Sequence, residues 1–191
     1  MPYLTKFNRN DYAYTPLFCE ENIWKLVESL YTNQFAKPID VLFIVNQADS
    51  VAVFEQNQSL DSNPVIWDYH VLLLAQINNE LVVFDFDSRC EFPTPAAKYF
   101  NATFPSTKVL YENFQPYIKI INANYYYQHF YADRKHMLGL IDSDEFPDYE
   151  IIQPKNGLEK LSLSQCRDML LTNNDLEIMS PYDYLKYTKS K

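Results

Sequence analysis

Apolar and polar positions alternate along this chain with two distinct periods. From "TPLF" onward, Ile23, Leu26, Val27 and Leu30 recur at i, i+3, i+4 and i+7, which predicts an amphipathic helix with Cys19 on the same inward stripe, four residues before Ile23. Glu20 and Glu21 suit its first turn, where acidic side chains meet the positive end of the helix dipole. "DVLFIVN" (40–46) and "VAVFEQ" (51–56) are short and rich in β-branched and aromatic residues, and predict two strands; "NQSLDSNP" (57–64) predicts a polar loop. "VIWDYHVLLLAQI" and "ELVVFDFDS" flank Asn78-Asn79, a pair that tolerates the positive φ angles of a tight turn, and predict a hairpin.

With a two-residue turn, that hairpin sets His70 opposite Asp87 and Leu72 opposite Asp85, so His70, Asp85 and Asp87 share one face. A four-residue loop from Gln76 to Asn79 would bring Asp85 opposite His70 instead. Further on, the prolines of residues 92–118 predict a surface excursion with at most short helices. "IKIINANYYYQHFYADRKHML" predicts a strand running into a helix. Ser162 and Gln165 form a capping box for a short C-terminal helix that carries Cys166 on its buried side.

Composition narrows the function classes. At 191 residues, 47% hydrophobic and 16% aromatic, the chain can bury one sizeable core, and no linker divides it, so a single domain over 1–191 is expected. No apolar run approaches the roughly 20 residues of a membrane-spanning helix. The first residues, "MPYLTKFNRND", lack the apolar region of a secretory signal, so a cytoplasmic protein, with the nucleus also open to it, is expected. A formal net charge of -9 without a dense Lys/Arg run argues against nucleic acid and acidic membranes as partners. Only two glycines, Gly139 and Gly157, are present, too few for a phosphate-cradling loop. Cys19, Cys90 and Cys166 lack paired spacing, so free thiols are expected, with Cys90 and Cys166 structural. His129, Asp133 and His136 stand at i, i+4 and i+7; a hydrogen-bonded structural role is expected for them, and no metal site or cofactor is predicted.

A thiol at a helix start, a strand histidine and an aspartate on the adjacent strand, in that chain order, are the parts of a cysteine nucleophile, its base and an orienting group. Glu20 and Glu21 oppose thiolate formation, so His70 would have to dominate. These residues also carry a resemblance: "CEENIWKL", "PVIWDYHVLLL", "VFDFDS" with a following "FP", and "ADRKHM" resemble, in collinear order over about the first 140 residues, the protein N-terminal glutamine amidohydrolase family. The resemblance implies an α+β fold with a papain- or transglutaminase-like core, a mainly antiparallel sheet packed by helices, and a Cys-His-Asp triad at Cys19, His70 and Asp85. It implies deamidation of N-terminal glutamine on proteins or peptides by a monomer. "NNDLEIMSPYDYLKY" departs from the family pattern, lacking the tryptophan and glycine expected near the end. Recognition of a free α-ammonium calls for a carboxylate, and Glu20, Glu21 and Asp68 are the candidates; Trp24 and Trp67 could wall the pocket. A deamidase or transglutaminase-like enzyme acting on internal glutamine, and a module that binds N-terminal glutamine without turnover, are the alternatives.

Overall fold

The structure is a computed structural model that describes residues 6–173 and 175–188. The strands β1 (Lys37–Val45), β4 (His70–Ile77), β5 (Glu80–Phe84), β6 (Thr94–Pro95), β7 (Tyr117–Asn122) and β10 (Leu176–Met179) form one sheet, ordered β10-β7-β1-β4-β5-β6. Every neighbouring pair in it is antiparallel. The fold is therefore α+β, a six-stranded antiparallel sheet with helices on both faces.

β1 lies near the middle of the sheet and is buried on both sides, which explains its unbroken apolar run. Val41 and Phe43, with Val71 and Leu73 of β4, face the helices α1 (Cys19–Asn33) and α3 (Ala123–His129). Leu42 and Ile44, with Leu72, Leu74 and Val83, face α2 (Ala96–Thr103) and α5 (Pro181–Thr188). The predicted stripe is the buried face of α1: Ile23, Leu26, Val27 and Leu30 are at most 1% exposed. At about 1.5–3 kcal/mol per buried aliphatic side chain, the four contribute on the order of 6–12 kcal/mol to docking α1 on the sheet. The helix ends where Gln34 takes a left-handed conformation (φ 56°) and donates its N–H to the Leu30 carbonyl.

The β4–β5 hairpin turns on Asn78 and Asn79, both at positive φ, and pairs Leu73 with Phe84 through Ile77 with Glu80. That is the register of a two-residue turn, and it excludes the four-residue loop. "VIWDYHVLLLAQI" is two strands, not one: β3 (Val65–Trp67) pairs with β2 (Val51–Val53) in a separate ribbon, and the chain breaks at Asp68 and Tyr69 before β4 begins at His70. β2 itself stops at Val53, short of the predicted Gln56.

The stretch 92–118 is only in part a surface excursion. β6 and α2 pack onto the second core, with Tyr99 and Phe100 buried, and a cis Phe92–Pro93 peptide precedes them. β7 runs into α3 as predicted, with Asn122 capping the helix through the Asn124 and Tyr125 N–H groups. α3 ends at His129, so Asp133 and His136 do not continue on its face. α4 (Leu163–Arg167) carries the predicted Ser162–Gln165 capping box and a fully buried Cys166. A parallel pair, β8 (Phe130–Tyr131) with β9 (Leu161–Ser162), ties α4 to the end of α3. α5 and β10 were not evident in the pattern, because their apolar residues are sparse. Among the described residues no helix is long and apolar enough to cross a membrane.

Candidate active site

Breaks in regular structure position the candidate residues. Cys19 is the first residue of α1, so its backbone N–H lies in the turn that has no intrahelical acceptor. Leu17, two residues earlier, sits at φ 69°, a conformation that branched side chains rarely adopt. His70 opens β4, and Asp85 is the first residue beyond β5.

Had the ladder continued, Asp87 would have stood opposite His70. The chain instead leaves the sheet after Phe84, and Asp85 turns in, its Oδ1 2.9 Å from His70 Nε2. Asp87 places its backbone N–H on the same Asp85 oxygen (2.9 Å). Tyr14 Oη (2.7 Å) and Gln58 Nε2 (3.3 Å) donate to the Asp87 side chain.

Asp85 is held from every side. Oδ2 accepts from Tyr99 Oη (2.6 Å) and Gln56 Nε2 (3.1 Å). Burial raises its carboxyl, but the His70 charge and the hydrogen bonds from His70, Tyr99 and Gln56 outweigh that and hold it at about 2. A carboxylate only accepts, so His70 Nε2 carries the hydrogen and Nδ1 keeps the lone pair. For His70, burial pushes the ring down, yet the charge and hydrogen bond of Asp85, aided by Asp87, bring the net shift upward. Trp67 lies over the imidazole, rings 5.6 Å apart and 13° from parallel. Arg9 donates to the carbonyls of Asp85, Ser88 and Cys90 (2.9–3.3 Å) and fixes the loop that carries Asp85.

Cys19 is a thiol in this arrangement. Burial pushes it well above its ordinary value, and the charges of Glu20, Asp87 and Asp68 push it in the same direction. The helix start does not outweigh them. Glu20 Oε2 lies 3.6 Å from Sγ and accepts from Tyr69 Oη at 2.8 Å. Burial raises the Glu20 carboxyl to about 7, against the lowering effect of its hydrogen bonds.

The three carboxylates proposed for an α-ammonium separate clearly. Glu21 is fully buried and bound by Arg134 through both oxygens, 2.8 and 2.7 Å. Its charge is spent on closing the loop after α3 over α1. Asp68 is exposed and 3.4 Å from Arg167. Glu20 alone of the three touches Cys19.

Trp24 is a core residue, its Nε1 donating to the Tyr127 carbonyl (3.1 Å). His129 bonds the Glu159 carbonyl (2.9 Å), while His136 lies 3.6 Å from Glu20. Among the described residues, the grouping of three close histidine, cysteine or acidic ligands is His70, Asp85 and Asp87. Its first two members are hydrogen-bonded to each other at 2.9 Å, so the facing atoms, Nε2 and Oδ1, are engaged with one another. Arg9, Gln56, Tyr69 and Tyr99 were missed from the sequence; only Tyr69, adjacent to His70, carried a positional hint.

The family model described as N-terminal glutamine amidase matches residues 14–180, a span that holds all of these groups except Arg9. The chain belongs to the N-terminal glutamine amidase family. Its similarity to a protein N-terminal glutamine amidohydrolase of Arabidopsis thaliana is 32% identity over 157 residues, 77% of this chain and 71% of the relative. The proteins of that name from Homo sapiens (32% identity) and Danio rerio (35%) match over 68% and 67% of this chain. The chain spans about two thirds of the length of these animal relatives, 64% and 65%. The family match ends at residue 180, so the first half of the divergent stretch (173–180) lies within it and residues 181–187 lie beyond it.

Proposed function

We propose that this protein deamidates N-terminal glutamine, releasing ammonia and leaving glutamate, through Cys19, His70 and Asp85. The observation that carries the reading is the buried His70–Asp85 pair, in a chain of the N-terminal glutamine amidase family whose α1 begins at Cys19. A papain- or transglutaminase-like core in a single domain over 1–191, acting as a cytoplasmic monomer, is the setting we infer for it.

Because Cys19 rests as a thiol, the first step needs a base. His70 Nδ1 takes the thiol proton as sulfur attacks the carboxamide carbon. The oxyanion forms beside the Cys19 backbone N–H at the helix start. Collapse breaks the C–N bond, His70 returns the proton to nitrogen, and ammonia leaves a γ-glutamyl thioester. Water, giving a proton to His70, hydrolyses the thioester, and that proton restores the thiol. Asp85 holds the Nε2–H tautomer throughout and stabilises the imidazolium without taking its proton. These steps use no metal or organic cofactor.

Glu20 receives the α-ammonium of the substrate, with Asp68 adding charge from the rim. A substrate cation restores the ionised form of Glu20 that burial opposes, so binding is tied to a free N-terminus. Peptides beginning with glutamine, their N-acetylated twins, peptides with internal glutamine and asparagine-initiated controls test this, with ammonia as the readout. Release from the free glutamine peptide alone is expected. Equal rates on the acetylated or internal forms would move the activity to internal glutamine, and stoichiometric binding without ammonia would make this a recognition module.

A further inference from the structure

Trp67 and His70 stand three residues apart, a spacing that in a continuous strand sends two side chains to opposite faces. The structure brings them together by ending one strand and starting another between them. β3 stops at Trp67 and belongs to the β2–β3 ribbon, the chain passes through Asp68 and Tyr69, and β4 opens at His70 in the main sheet. The indole then lies over the imidazole, ring centroids 5.6 Å apart and planes 13° from parallel.

The support of the indole is fixed. Trp67 pairs with Val51 across the ribbon, and β2 is buried along its whole length. Asn46, ahead of β2, accepts the Ala48 and Ser50 N–H groups (3.0 Å each) and donates to the carbonyls of Ser50 (2.6 Å) and Asn113 (2.8 Å). Trp67 also packs against the second core, while its Nε1–H is buried and has no acceptor among the described residues. The ring is thus oriented by its faces and not by a hydrogen bond.

The surroundings of His70 give that face a role. Opposite it on β1 stands the apolar Ile44. Burial opposes the ring's cation, and the charges of Asp85, at 2.9 Å, and of Asp87 favour it. Tyr99 and Gln56 reach the ring only through Asp85. His70 is 1% exposed, so bulk water does not solvate its positive charge. The face of an indole within about 6 Å attracts a cation, most strongly where water is excluded.

We propose that Trp67 is a positioning residue of the reaction, whose indole face holds the His70 ring in line with Asp85 and stabilises the imidazolium formed in both half-reactions. The inference rests on the thiol mechanism for the place of that imidazolium, but the stacking and its effect on His70 are measurable without turnover.

The test follows the His70 ring protons by NMR through a pH titration of the full chain as wild type, Trp67→Phe and Trp67→Leu, with the signals assigned by their absence in His70→Asn. Ammonia release from a Gln-initiated peptide is measured on the same three proteins. The upfield ring-current displacement of His70 should disappear in Trp67→Leu. Its pKa should fall by about one unit there, and by about half as much in Trp67→Phe, which keeps an aromatic face. In Trp67→Leu kcat should fall about tenfold with KM within about twofold of wild type, and Trp67→Phe should recover part of the loss. A mere space filler predicts the opposite sign, because a smaller side chain admits water and relieves the burial that opposes the cation. If Trp67→Leu does not fold, the sign of the smaller shift in Trp67→Phe decides. An unchanged or raised pKa, or equal losses in the two variants, would overturn the inference. A lowered pKa in proteins that all fail to release ammonia would leave the effect on His70 standing and refute the proposed reaction.

Discussion

Replacing Asp85 by asparagine changes one atom and tests the whole second half of the site. All the acceptor capacity of Asp85 is in use: Oδ1 serves His70 Nε2 and the Asp87 N–H, and Oδ2 serves Tyr99 and Gln56. Asparagine offers one acceptor oxygen and one NH2. If the NH2 faces His70, the ring must switch to its Nδ1–H tautomer, and the Asp87 N–H is left without an acceptor. If it faces the other side, Gln56 can flip, because its Oε1 has no partner, but Tyr99 then accepts and its hydrogen is left unpaired. Either way one buried donor is stranded, at about 1–3 kcal/mol, and hydrogen bonds to a charge become neutral ones. The carboxyl lies at about 2, against its ordinary 3.8, and at about 1.4 kcal/mol per pH unit its ionised form contributes about 2 kcal/mol to folding. The two estimates overlap, since the shift arises from those same bonds, and together they set a loss of about 3 kcal/mol.

Because the folded pKa is depressed, the contribution is present above pH 3.8 and is lost as pH falls through about 2. Urea unfolding of Asp85→Asn and wild type from pH 7 to pH 2 should show a gap that widens as His70 takes up its proton on acidification, because Asp85 is what raises the ring against burial, and that closes below about pH 4. Ammonia release should fall by about 10⁴, the scale on which loss of the correct tautomer disables a triad. A variant within about 0.5 kcal/mol of wild type at pH 7, with the same acid profile, would refute the reasoning.

Glu20→Gln should trade binding for stability. The folded pKa of Glu20 is raised from 4.5 to about 7, so its contribution is full below pH 4.5 and is lost as pH rises through 7, about 3 kcal/mol in all. The variant should therefore unfold at higher urea than wild type at pH 8, while KM for a Gln-initiated peptide rises about 10- to 100-fold; lower stability at pH 8 would contradict the assignment. Alkylation of Cys19 by iodoacetamide should be slow near pH 6 and accelerate only above pH 9, since burial and Glu20 keep the thiol protonated; a fast plateau from pH 5 to 8 would show a resting ion pair with His70 instead. Leu26→Ala, in the fully buried face of α1, should cost about 2–5 kcal/mol by thermal or urea unfolding, and a cost below 1 kcal/mol would mean that α1 is less firmly docked than its burial indicates.

The elements that were legible in the sequence are those whose signal is local. The stripe of α1, the Asn78-Asn79 turn and the Ser162 capping box are each written within a dozen residues, and each appears where its pattern puts it. The hairpin register was also legible, but carrying it past Phe84 led to Asp87, because nothing in "VFDFDS" announces that the strand ends there. The break at Asp68 and Tyr69 was equally silent within an apolar run. The groups that fix Asp85 lie far from it in sequence, Arg9 76 positions away and Gln56 29. A polar residue that serves a distant loop looks the same in one dimension as a polar residue that serves water. The resting state of the thiol was not legible either, since it depends on the burial around the half-buried Cys19 and on the fully buried Glu20 next to it.

The most direct measurement follows residue 1 of a Gln-initiated peptide by mass, with ammonia counted in the same reaction, for wild type and Cys19→Ala. Conversion of residue 1 to glutamate with one ammonia per peptide, absent in the variant, is the predicted result. An unchanged peptide with wild type, or the same conversion by Cys19→Ala, would contradict the assignment of the reaction to this thiol.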